Sequence, residues 1–287
     1  MLSFDHFITA GISLLFYSCL NVSLSLTIKI PSHLDYKQSR DFIGQHISFV
    51  HSMIACILSL GVYLLNSGID YESDFSFKYI LVLGHSMGYF TYDMIYAEIF
   101  GVHDLAMRFH HVCVLIGGYT LYCQDKGGAI GVLCVGLTEL SNPSMQTRLI
   151  LKSKKMQESN LYKIAESTFA FIFTFNRYLI FRGVIGTFLN YNVYQYDVNY
   201  VLRIFVSLIY GVSLYWVFVI FCMVNKKLRK RENGAVISFF VKIMNALREN
   251  SFFVIAGIFT WSIFMPPTLK MLGFSPYHLR VSGFTII

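Results

Sequence analysis

His110 and His111 stand side by side in Asp104-Leu-Ala-Met-Arg-Phe-His110-His111-Val-Cys-Val-Leu-Ile-Gly-Gly-Tyr, a run apolar enough to enter a bilayer. An ionisable group at that depth costs roughly 2.5–3.5 kcal/mol on insertion scales, so a histidine pair there marks a site and calls for partners. Two carboxylates flank it: Asp93 toward the end of the preceding apolar segment and Glu139 inside the following one. An imidazole titrating near neutrality could act as a general base, oriented by either acid. Neighbouring residues on a helix lie about 100° apart, so one ring can face the bundle interior and the other a neighbouring helix. A plainer role fits equally well, in which neutral histidines join helices by hydrogen bonds worth ~0.6 kcal/mol on average.

Other polar groups fall inside apolar segments. His51 is expected in the same layer as Asp93 and His110, with His85, Glu139, Asn142, Asn176 and Arg177 deeper. Asn142-Pro143 should kink its helix and release carbonyls that only a protein-lined or wet cavity tolerates. Asn176-Arg177 offers Glu139 a counter-charge, which would make a structural ion pair. A metal centre is not expected. His103 and His110, seven residues apart, would share a helix face beside His111, with Asp93 or Glu139 as oxygen ligands. Yet no second histidine cluster accompanies them, for His6, His33, His46, His51, His85 and His278 are scattered singly. The six cysteines have no C-x-x-C spacing and read as core fillers.

These residues have to be positioned by membrane helices. With 55% hydrophobic and 14% charged residues and a mean hydropathy of +0.55, the chain reads as a polytopic, all-α membrane protein. A span needs about 20 apolar residues, and stretches at 5–28, 42–65, 77–98, 104–123, 128–151, 163–188 and 200–224 qualify. The formal charge of +7 is no sign of nucleic acid, because Lys and Arg sit in short loops. One set of alternating loops carries Lys29, Arg40, Lys154, Lys155 and the run Lys226–Arg231, the other Lys78, Lys126 and Arg203. This bias places the N-terminus outside and the basic run inside, where it anchors the seventh span or touches anionic head groups. Phe252–Met265 is short for a span and suits an interfacial segment. No secretory signal peptide is read in the first apolar run, which is expected to be retained.

Taken in order, Ser48-Phe-Val-His51, Tyr89-Phe-Thr-Tyr-Asp93, His110-His111, Glu139-Leu-Ser-x-Pro143-x-x-x-x-Arg148 and Arg177 resemble the signature series of the TLC domain. That family is named from translocating-chain-associating proteins, longevity-assurance ceramide synthases and a neuronal-ceroid-lipofuscinosis protein. The resemblance covers roughly residues 40–226. It implies a six-helix core from the second to the seventh helix, preceded by an N-terminal helix and loop (1–39) and followed by a basic and apolar tail (227–287). It also implies a lipid-accessible cavity holding the histidine pair. In the ceramide synthase branch the equivalent histidines are catalytic for N-acylation. That branch carries an aspartate-rich stretch where this chain has Gly131-Val-Leu-Cys-Val-Gly-Leu-Thr-Glu139, and this chain continues Ser-x-Pro, as members outside the branch do.

The leading expectation is therefore a membrane protein that binds or handles an acyl lipid in its bundle. Its cavity would involve His51, His85, Tyr89, Asp93, His110, His111, Glu139, Asn142, Asn176 and Arg177, with a bound phospholipid or acyl lipid and no other cofactor. A second expectation is a non-catalytic accessory subunit of a large membrane complex, such as a respiratory-chain assembly, for which the 17% aromatic content supplies contact surface. A third is an N-acyltransferase with His110 and His111 catalytic. The resemblance implies the endoplasmic reticulum or another endomembrane, with the mitochondrial inner membrane as the alternative.

Overall fold

Asp35 and Gln38 open α2 with a reciprocal cap. The Gln38 amide donates to the Asp35 side chain at 2.8 Å, and the Asp35 amide donates to the Gln38 side chain at 3.1 Å. The computed structural model describes residues 4–65, 75–124, 126–180 and 198–229, and those residues are built from helices. In order these are α1 (Phe4–Thr27), α2 (Tyr36–Leu65), α3 (Phe77–Phe100), α4 (Leu105–Tyr122), α5 (Gly128–Glu139), α6 (Asn142–Ser153), α7 (Asn160–Thr174) running into a π-turn (Phe175–Ile180), and α8 (Val198–Arg229). The expected segment at 252–265, His278 and the end of the basic run at Arg231 lie outside the described residues.

Three helical stretches, Asp5–Thr27, Tyr36–Leu64 and Val201–Val224, are long and apolar enough to cross a membrane. Among the described residues, α5, α6 and α7 are too short to qualify, and α3 and α4 are long enough but less apolar. In α3 and α4 the reason is visible, since these helices carry Asp93 and the histidine pair, which are buried inside the bundle. The outer faces are apolar instead: Phe7, Ile12, Leu15, Ile57, Leu64 and Ile99 are exposed. A surface of that kind is at home in lipid.

Helix α1 lies along α3, α4 along α8, and α2 against α5 and α6. The α1–α3 seam depends on Gly84 and Gly88, one turn apart in the sequence Gly-His-Ser-Met-Gly. A Cβ on Gly88 would collide with the carbonyl oxygen of Ala10 and the side chain of Ser13, and one on Gly84 with Thr9 and Tyr122. Small residues at this spacing let two backbones approach, and packing drives association where lipid is as apolar as the helices. The close approach carries polar links too, since Ser13 Oγ donates to the His85 carbonyl at 2.6 Å.

The fifth expected span is two helices, α5 and α6, broken at Leu140–Ser141. Pro143 sits in the first turn of α6, where its missing N–H would have had no intrahelical partner.

Candidate functional site

A cavity of about 380 Å³ opens between helices α2 to α8. His51, Tyr89, Asp93, His110, His111, Glu139, Asn142 and Arg177 line it. His85 and Asn176 do not: the first stands behind the wall and the second supports it. Along α3, α4 and α5 the lining is graded. Leu83, Leu121 and Gly131 mark one end, Asp93, His111, Glu139 and Asn142 the other. Leu202 of α8 joins Leu83 and Leu121 in one buried apolar cluster at the first end.

The polar end is assembled by local chain geometry. Helix α3 stops at Gly101, which adopts φ +63°, and the Val102 amide donates back to the Ala97 carbonyl at 3.2 Å. Only a residue without Cβ enters that left-handed conformation cheaply. The chain is thereby turned back, and Asp104 caps α4 by accepting from the Met107 amide at 2.8 Å. His103, caught between the two caps, is brought to 3.4 Å from Asp93 Oδ2 through its Nε2. Burial draws the His103 imidazole below its ordinary range, and the charge of Asp93 works in the opposite direction.

The adjacent histidines face different ways. His111 turns to α3, with its Nδ1 at 3.1 Å from Asp93 Oδ2. His110 turns to α8, its ring edge-on to Trp216 at 5.0 Å between centroids. His103 shares no helix face with His110, because α4 begins only at Leu105; its ring packs on His111 at 4.7 Å.

Glu139 ends α5 with its Oε2 accepting from Asn142 Nδ2 at 2.7 Å and 3.9 Å from His51 Nε2. His51 is stacked on Tyr89 at 3.6 Å, and Tyr89 donates its hydroxyl to Ser48 at 2.8 Å. The expectation of separate layers for His51 and Glu139 therefore does not hold; α2 and α5 cross where the two side chains meet. Arg177, expected as a counter-charge, is anchored to backbone as well. It donates to the Thr138 carbonyl at 3.2 Å and to Ser213 Oγ at 3.1 Å, while Asn176 donates to the Leu137 carbonyl at 3.2 Å. The π-turn thus caps the carbonyls that the break after α5 leaves open, and it sets a cation at the negative end of that helix.

Two contributors were not legible as site residues. Tyr17 of α1, with no exposed surface, places its hydroxyl between His85 and His51. Trp216, one of two tryptophans in the chain, walls the cavity beside His110. A lone aromatic in an apolar helix reads as lipid-facing. For Trp216 the advance sign was the rarity of tryptophan in the chain.

The arrangement offers an elongated apolar space ending in imidazoles and acids. A family model described as the TLC domain matches residues 41–228, which takes in α2 to α8 and leaves α1 outside. No curated protein matches the chain.

Proposed function

The chain belongs to the TLC domain family, membrane proteins linked to lipid biology, and from that premise we propose that its bundle binds or handles an acyl lipid. The observation that carries the reading is the grading of the cavity. Leu83, Leu121 and Leu202 form an apolar end suited to a hydrocarbon chain, and Asp93, His110, His111, Glu139 and Arg177 supply donors and acceptors for a polar head. Ligand pockets are built in this manner, mostly apolar with a few placed polar groups, and usually occupy ~300–1,000 Å³. The aromatic content does not favour the accessory-subunit alternative, because lipid-facing helices explain it as well.

The test is lipid extraction and mass spectrometry of protein purified through repeated detergent exchange. Wild-type protein should retain acyl lipid in stoichiometric amount. Val206→Trp, which fills the cavity from α8, should retain less than half as much; equal retention by both proteins overturns the reading.

A further inference from the structure

Asp93, His103 and His111 come from three successive pieces of chain, the end of α3, the Gly101–Asp104 turn and the second turn of α4. One ligand-type atom from each lies within 4.8 Å of the other two. Two edges of this triad, 3.1 Å from His111 Nδ1 and 3.4 Å from His103 Nε2 to the shared Asp93 Oδ2, have the length of a coordination polyhedron's edge. With metal–ligand bonds of about 2.0–2.2 Å, neighbouring ligands around one ion stand about 3.0–3.5 Å apart.

Two further observations point the same way. His111 Nδ1 is buried and makes no hydrogen bond with any described residue, although Asp93 Oδ2 is close by; its direction is wrong for a proton bridge. Asp93 itself is 6% exposed, and among the described residues its ion pairs are with these two imidazoles and not with a Lys or Arg. A buried carboxylate without a fixed cation is costly, and Arg108, on the same helix as His111, is paired with Glu98 at 3.3 Å.

The geometry points to a divalent transition-metal site formed by Asp93 Oδ2, His103 Nε2 and His111 Nδ1. This revises the expectation from sequence that no metal is held, and it stands independently of the lipid reading. Two imidazoles and one carboxylate are the donor set of catalytic zinc centres and of non-haem iron(II) centres, and in both classes positions are left open. Here all three ligands line the cavity, so the open positions face it, available to water or to an oxygen of whatever the cavity holds. The Gly101 turn is the positioning element. It fixes His103 relative to α3 without using a residue of either helix.

The experiment uses full-length protein without a histidine tag, stripped with chelator, delipidated, and loaded with Zn²⁺ or Co²⁺ alone. Elemental analysis should find one Zn²⁺ per chain, and Co²⁺ should give the visible d–d absorption of a low-symmetry nitrogen and oxygen site. His103→Ala, which alters only the turn, should lower Zn²⁺ affinity at least 100-fold and abolish the Co²⁺ band. Asp93→Asn should do the same, and Glu98→Gln should load as the wild type. No zinc on the wild-type protein, or equal loading by His103→Ala, overturns the site. Acyl lipid measured on the His103→Ala protein before delipidation separates the two readings: lipid retained with metal lost leaves the lipid proposal standing.

Discussion

The hydroxyl of Tyr17 stands 3.0 Å from His85 Nε2 and 3.3 Å from His51 Nδ1, so one side chain of α1 joins an imidazole of α2 to one of α3. The residue lies outside the matched family region, yet it supports the ring that stands 3.9 Å from Glu139. Tyr17→Phe keeps the ring contacts and removes the shared hydroxyl. Loss of a buried hydrogen-bond partner costs about 1–3 kcal/mol. A lowered midpoint in thermal unfolding of the detergent-solubilised protein is expected; an unchanged midpoint would show that the hydroxyl contributes nothing.

The glycine seam predicts a contrast between a substitution within it and one at an open glycine of α2. Gly88→Val places carbon where the α1 backbone passes, whereas Gly61→Ala meets nothing within 4 Å. The first should displace α1, seen as protease sensitivity of the segment before Tyr36. The second should be neutral or stabilising by about 0.5–1 kcal/mol, because alanine is the better helix former.

Arg177→Leu removes the donor to the Thr138 carbonyl and to Ser213. Hydrogen bonds from a charged group are worth about 1.5–3 kcal/mol each. Arg177→Lys, a point charge without the planar fork, should recover part of the loss and no more. Equal stability of the lysine and arginine proteins in denaturant titration would contradict the capping role.

Purified protein given long-chain base and acyl-CoA should form no ceramide. The stretch from Gly131 to Leu137 offers aliphatic, glycine and cysteine side chains, none of which stabilises a developing oxyanion. Ceramide whose formation disappears in His110→Ala and His111→Ala would place the chain among the acyltransferases.

The loop after Ser153, with Lys154 and Lys155, should face the cytosol or matrix, and the turn at Lys126 the opposite side. Cysteines introduced at Lys155 and Lys126 and labelled from one side only decide this. Labelling of Lys155 from the outside and Lys126 from the inside would reverse the assigned topology, and labelling of both from the same side would break it.

Much of the framework was legible because lipid penalises stray polarity. Asp93, His51, His110, His111 and Glu139 could be singled out as soon as their helices were recognised, since each had to point inward. Pro143 announced the break in the fifth span for an equally local reason, its missing amide. What stayed hidden depends on placement between distant segments. His103 was visible as a possible ligand, but helical spacing paired it with His110, and the left-handed turn at Gly101 delivers it to His111. Tyr17 could not be read from α1 alone, because its meaning comes from which helix lies beside it. The Gly84–Gly88 spacing was a usable sign of that neighbour.

The break after α5 and the π-turn after α7 lie far apart in sequence, yet the side chains of one irregularity satisfy the carbonyls of the other. Neither segment can then complete its hydrogen bonding as an autonomous rod in hydrocarbon. The carbonyls of Leu137 and Thr138 accordingly find these partners only once residues 176 and 177 have packed against the end of α5. The two irregular segments, distant in sequence, are thus structurally interdependent.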